Sequence, residues 1–245
     1  MCGRFARFSP AHIFRMLFQL EEFLELEPQY NIAPGQSIFA VREIVVRDEQ
    51  QRSAAPARSF QKEVAPFKWG LIPFWAKDPS IGNKMINSRA ETIVEKPSFR
   101  TAFKKHRLLI PADGFYEWQK KREGGKQPYY IHMKDKKPFA LAGLWENWKS
   151  PEGQVIESCS IITTDANSLL KTIHGRMPVI VEPKDFDLWL NPEIQEPDEV
   201  KPLLKAYDSK KMNAYPVSTY VNKPENRGEQ AIELFEEKYK QQKLF

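Results

Sequence analysis

The chain is predicted to be an α+β protein: one domain with a β-rich, mainly antiparallel sheet or pseudo-barrel core and peripheral helices. Three observations predict it. Short runs of β-type residues dominate the middle of the 245-residue chain. These runs follow one another at close spacing, which suits antiparallel neighbours better than parallel crossovers. Hydrophobic residues at 41% and aromatics at 12% supply enough apolar surface for a sizeable core. No internal repeat or linker divides the sequence, so residues 1–245 read as one unit, with a core over about 2–220.

The elements follow in order. Ser9 and Pro10 precede an apolar periodicity at Ile13, Phe14, Leu17, Leu20 and Leu24, read as N-cap, first-turn proline and amphipathic helix. Asn31-Ile32-Ala33-Pro34-Gly35 makes a turn, and 38–46 a strand. Residues 47–65 are polar, with Pro56 and several small residues, and read as a mobile surface loop. Further β-type runs fall at 67–72, 107–110, 115–119, 129–133, 139–144 and 155–163, with Gly124-Gly125 at a hairpin tip within 120–127. Helical patterns are expected at 96–105, 166–173, 183–190, 198–206 and 229–241.

Charged residues make up 28% of the chain and leave a net charge of +5, which permits a polyanionic partner without requiring one. Two cysteines, Cys2 and Cys159, are too few for a disulfide framework, and no CxxC or Cys/His cluster suggests a metal. Without a signal-peptide pattern or a stretch of about 20 apolar residues, a reducing, cytoplasmic compartment is expected.

Cys2 is the most informative residue. Once Met1 is trimmed, the chain would begin with a 1,2-aminothiol, whose amine condenses with an aldehyde before the thiol closes a five-membered thiazolidine. An α-amine titrates at about 8 and a thiol at about 8.5, so both are partly reactive near neutrality. The alternative is a small residue that merely follows a start codon.

Other candidates are equally two-sided. Glu117, flanked by aromatics in Gly114-Phe115-Tyr116-Glu117-Trp118, is either a proton-transferring carboxyl in dry surroundings or an exposed strand glutamate. His174, before Gly175-Arg176-Met177-Pro178, is either an acid–base group or a helix-terminal residue facing the dipole. Asn87 either hydrogen-bonds a small reacting group or closes a turn. Of the rings in Trp69-Gly70-Leu71-Ile72-Pro73-Phe74-Trp75, Trp69 reads as core and Trp75 as a partly exposed stacking face. Arg4, Arg89 and Arg176 each neighbour a candidate and suit phosphate clamping, unless they are simply solvated surface. Cys159 reads as a core thiol.

Taken together, the ordered segments Met1-Cys2-Gly3-Arg4-Phe5, Tyr30-Asn31-Ile32-Ala33-Pro34-Gly35, Trp69-Gly70-Leu71-Ile72-Pro73, Asn87-Ser88-Arg89-Ala90-Glu91-Thr92, Phe115-Tyr116-Glu117-Trp118 and His174-Gly175-Arg176-Met177-Pro178 resemble the SRAP family. They span roughly residues 1–220, and Ser88 departs from the alanine or cysteine often found there. The resemblance implies a groove for single-stranded DNA and a mature N-terminal cysteine that captures the ring-opened aldehyde of an abasic site in a covalent crosslink. It maps the catalytic set onto Cys2, Asn87, Glu117 and His174, and the DNA contacts onto Arg89 and Arg176, with Arg4 beside them. Trp75 or Trp118 would offer a stacking face. Removal of Met1 is implied, no cofactor, metal or membrane is, and a monomer is expected. Lacking the C-terminal extension of eukaryotic members, the chain reads as a bacterial or phage-type protein, associated with the nucleoid during DNA damage. Two rivals stand beside this reading: an N-terminal-nucleophile cysteine peptidase or amidase, and a non-covalent reader of modified DNA bases.

Overall fold

The computed structural model describes residues 2–47 and 58–235. In chain order its strands are β1 (Phe5–Arg7), β2 (Gln29–Ile32), β3 (Ser37–Arg47), β4 (Arg58–Trp69), β5 (Asn87–Arg89), β6 (Arg107–Ala112), β7 (Gly114–Lys120), β8 (Lys126–Met133), β9 (Phe139–Lys149), β10 (Val155–Asp165), β11 (Arg176–Pro178), β12 (Ile180–Val181) and β13 (Met212–Pro216). The α-helices are short: α1 (Ala11–Phe18), α2 (Arg100–Lys105), α3 (Phe186–Leu190) and α4 (Pro197–Val200).

Five strands close a barrel. β4 pairs with β3, β3 with β6, β6 with β9 and β9 with β10, all antiparallel, and β10 returns alongside β4 in parallel, with Cys159 opposite Trp69. Closure leaves the ring without open edges. Its filling comes from Phe67, Trp69, Ile110, Leu141, Cys159 and Ile161, each fully shielded from solvent. A second apolar layer lies outside the ring, where Phe14 and Phe18 of α1, Phe103 of α2 and Trp189 of α3 pack in one cluster with Leu109 and Ala142. Each such side chain removed from water contributes about 2 kcal/mol. The α+β class and the mainly antiparallel core match the expectation from sequence.

A five-stranded sheet stands beside the ring in the order β13-β8-β7-β1-β2. It matters most for function, because β1 and β7 run antiparallel with Phe5 opposite Phe115. Arg4 C=O accepts from Tyr116 N–H at 3.0 Å, extending the pairing towards the chain start. Residues 2 and 3 are thereby carried alongside residues 117 and 118.

Several sequence expectations are corrected. Residues 58–65 of the expected 47–65 loop are strand, because β3 and β4 form one continuous hairpin from Ser37 opposite Lys68 out to Arg47 opposite Arg58; 48–57 lie outside the described residues. Ser9 does not cap α1. Its hydroxyl and N–H bond the carboxylate of Asp113 instead, and Pro10 stands at the cap. That helix stops at Phe18, where Gln19 turns left-handed at φ 55°. The stretch 166–173 winds only into a 3-10 turn at Leu170–Thr172, and 229–241 shows a 3-10 turn at Glu229–Ile232 before the described residues end. The 67–72 strand ends early because Gly70 turns at φ 134°, with its Cα hydrogen facing the carbonyl of Gly82; a Cβ there would sit 2.7 Å from that oxygen.

Candidate functional site

Three separate parts of the fold deliver side chains to Cys2. β5 runs parallel to β10 with Asn87 opposite Ile161, so Asn87 lies at the entrance of that strand. From there its Nδ2 donates to the Cys2 carbonyl at 2.9 Å. β7 carries Glu117, buried to 2% exposure. The third part is the turn between β10 and β11, closed by Ala166 N–H on the Gly175 carbonyl at 3.1 Å and His174 N–H on the Leu170 carbonyl at 2.8 Å. His174 leaves it with Nδ1 3.7 Å from Glu117 Oε2. Asn87 and Glu117 thus meet at residue 2 from positions far apart in sequence, and His174 joins them through Glu117.

The electrostatics of the pocket follow from its dryness. Cys2 is fully buried in this chain, which still carries Met1, so its nitrogen is an amide and its sulfur is covered. Burial pushes its thiol pKa far up, and the Glu117 carboxylate adds to that; the N-terminal charge and then the Arg4 N–H bonded to the sulfur pull the other way. Burial also raises the Glu117 carboxyl above its ordinary range, against the pull of neighbouring positive charge, His174 included. A carboxyl raised in this way gives and takes protons closer to neutrality. His174 is half-buried, and its Nδ1 lies 3.1 Å from Arg176 N–H and 3.3 Å from the Arg176 carbonyl. Asn87 Oδ1 is buried and has no hydrogen-bond partner among the described residues, an acceptor open to a donor.

Of the expected DNA-contacting residues, Arg89 and Trp75 are exposed, Trp75 to 47%, beside an equally open Phe74. The turn that shows them is fastened from below by Trp148 Nε1 on the Ala76 carbonyl at 2.7 Å. Trp69 is core, as read, and its Nε1 bonds the Ile86 carbonyl just before β5. Trp118 is half-buried and donates to Asn222 Oδ1 at 2.8 Å.

Two arginines are placed differently from the expectation. Arg4 is buried, with Nη1 held by Asn31 Oδ1 and the Val221 carbonyl, each at 2.7 Å, and its guanidinium lies 6.0 Å from the Trp118 ring centre. The strand pairing of β1 turns that side chain inward, so it fastens the 219–228 segment instead of facing outward. Arg176 is forked onto Glu91 at 2.7 and 2.9 Å, bonds Asp165 Oδ1 at 2.9 Å and reaches the Thr163 carbonyl at 2.7 Å. Glu91 and Asp165 were not singled out from sequence. The only signal was Glu91 recurring two residues after Arg89, and nothing linear joins Asp165 to Arg176. Gln119 was missed too: its Nε2 holds the Thr172 carbonyl at 2.7 Å, tying the Glu117 strand to the His174 turn.

Among the described residues no group of three or more His, Cys, Asp or Glu side chains stands together as a metal site, and no helix is long and apolar enough to cross a membrane. A concavity of about 690 Å³ lies elsewhere, between residues 19–24 and the β3–β4 hairpin, and shares no residue with this site.

Comparison with known proteins adds to this geometry. The chain is 43% identical over 236 residues to "Abasic site processing protein YoqW" of Bacillus subtilis, covering 95% of this chain and 99% of that protein. It is 32% identical over 225 residues to "Abasic site processing protein HMCES" of Gallus gallus, covering 81% of this chain and 64% of that protein. A crystal structure of a protein from Bacteroides thetaiotaomicron superposes with a TM-score of 0.78 at 31% identity, over 96% of this chain and all of that one. The family model described as SOS response associated peptidase (SRAP) matches residues 1–224, and with the relatives at this identity it places the chain in the SRAP family.

Proposed function

We propose that the protein processes abasic sites in single-stranded DNA, trapping the ring-opened sugar on Cys2 once Met1 has been removed. The observation that carries the reading is the convergence of Asn87, Glu117 and His174 on residue 2. Similarity at 43% identity to a protein named for abasic site processing supports it.

Removal of Met1 turns the Cys2 nitrogen into an amine. That amine adds to the C1′ aldehyde, giving a carbinolamine, which loses water to form the iminium. Glu117, its carboxyl raised by burial, protonates the departing hydroxyl. His174 stands close enough to Glu117 to protonate the opened sugar oxygen and exchange protons with it after a small closure, since such contacts tighten only with substrate bound. Asn87 holds the residue-2 carbonyl, and its unpartnered Oδ1 accepts from the new amine or the sugar. The Cys2 thiol then adds to the iminium carbon, its proton passing to the pocket carboxylate, and the thiazolidine closes. Arg89 contacts flanking phosphate, Trp75 and Trp118 stack on unpaired bases, and Arg176 lines the approach under the control of Glu91 and Asp165.

The pKa of the thiol bears on the rival hydrolase. An N-terminal-nucleophile peptidase needs a thiolate first, and in the chain that carries Met1 burial and Glu117 favour the protonated sulfur. Condensation led by the amine tolerates a neutral thiol. Incubation with an abasic single strand tests the choice. A denaturation-resistant adduct that Cys2→Ala abolishes is expected; retained binding without an adduct would indicate a non-covalent reader, and amide hydrolysis without an adduct a peptidase.

A further inference from the structure

The hairpin joining β7 to β8 carries a concentration of positive charge that the site described above does not use. Lys120, Lys121, Arg122 and Lys126 fall within seven residues, all exposed, with Glu123 the one carboxylate among them. Lys120 and Lys126 are direct cross-strand partners in the β7–β8 ladder. Like charges placed opposite one another destabilise a hairpin, so this pairing is not there for stability.

Several cations elsewhere in the fold are matched. Arg42 pairs with Glu63 and Glu157, Lys62 with Asp187, Arg176 with Glu91 and Asp165, and Lys211 with Glu182. Among the described residues, Lys120, Arg122 and Lys126 form no ion pair. The turn that Gln119 grips adds a further exposed cation, Lys171.

Position gives the patch its meaning. Alternation along β7 puts Lys120 on the same face as Trp118, two residues away, while Glu117 lies on the other face. At about 3.3 Å per residue, Lys120 stands roughly 10 Å along the strand from Glu117. A strand of nucleic acid that passes over Trp118 would meet Lys120, Lys126 and then Arg122 beyond it.

We infer that the β7–β8 hairpin is a second nucleic-acid surface, gripping the phosphate backbone of single-stranded DNA outside the reacting nucleotide through Lys120, Arg122 and Lys126. It rests on the proposed single-stranded DNA reading and extends it from the lesion to the flanking strand. The contacts are to phosphate, so they add affinity and orientation without sequence preference.

The test uses the full chain with Lys120→Gln, Arg122→Gln and Lys126→Gln combined, beside a charge-preserving Lys120→Arg/Lys126→Arg control. Binding to a long, unmodified oligothymidylate is measured across a salt series. Each phosphate contact contributes about 0.7 to the logarithmic salt slope for single strands, so the triple variant should lose about 2 from that slope while the control keeps it. An oligothymidylate too short to leave the pocket should bind all three proteins alike, and the adduct-forming rate at saturating abasic DNA should not change. An unaltered slope overturns the inference, as does an equal loss of affinity for the short oligonucleotide. A protein that forms no adduct yet loses the slope in the triple variant would sink the proposed chemistry and keep this surface.

Discussion

Asn87 is bonded to the main chain of Cys2 through its amide nitrogen, at 2.9 Å, while its amide oxygen is buried without a partner among the described residues. Half of the side chain therefore holds residue 2 in place and half remains for something not yet bound. Asn87→Ala removes both halves. Adduct formation at saturating DNA is expected to slow roughly tenfold to a hundredfold, the usual effect of misplacing a reacting group by about 1 Å. Single-turnover kinetics check it, and a wild-type rate would reduce Asn87 to a backbone prop.

Glu117→Gln is expected to slow the chemical step by about a hundredfold with little change in affinity for unmodified strand. Equal losses in both would make Glu117 structural.

The same substitution should leave a mark on stability. Burial raises the Glu117 carboxyl in the folded state, so the native protein holds that proton more tightly than the unfolded chain. Its contribution is fully present below the ordinary carboxylate pKa and is lost as pH rises through the raised value. Glu117→Gln should therefore be the more stable protein at neutral pH and lack that component of the pH profile. Urea midpoints measured for both proteins from acid to neutral pH would show the curves diverging upward; parallel curves would refute the assignment.

A protein that retains Met1 should form no adduct, because its residue-2 nitrogen is an amide. Its Cys2 thiol, fully covered here, should also react slowly with a thiol reagent, whereas the trimmed protein should label readily at one cysteine. Intact mass after labelling reads both. Adduct formation by a Met1-retaining protein would contradict the scheme.

Arg4 and Arg89 should separate cleanly. Arg4→Ala breaks buried bonds to Asn31 and the Val221 carbonyl and should cost about 2 kcal/mol, seen as a lowered denaturation midpoint. Arg89→Gln should leave the midpoint unchanged while lowering the salt slope of single-strand binding by about 0.7. The reverse pattern would mean that the two roles had been exchanged.

The strands of the ring were legible because their residues alternate between barrel interior and exterior, as in Ile38 and Ala40 of β3 or Phe67 and Trp69 of β4. What linear reading missed has a common cause. Residues 58–65 look like loop because Gln61, Lys62 and Glu63 lie on an outer hairpin with little core beneath it, and only the partner strand reveals them. Ser9 reads as a cap in the sequence because its true acceptor, Asp113, is far along the chain. The candidate residues were legible as residue types in motifs, but not as a constellation. No spacing rule joins Asn87 to Cys2; the parallel β5–β10 pairing and the β1–β7 register do so together. The burial of Arg4 and the carboxylate clamp on Arg176 were likewise invisible, because an arginine beside a motif reads the same whether it points out or in.

Dispersal of the site along the chain has a consequence for biosynthesis. Residue 2 leaves the ribosome well before Glu117 and His174, and domains fold as units. Throughout that interval a trimmed N-terminus would be open to any small aldehyde in its surroundings. On the proposed chemistry, the timing of methionine excision against completion of the barrel would set how many newly made molecules arrive with an unspent warhead.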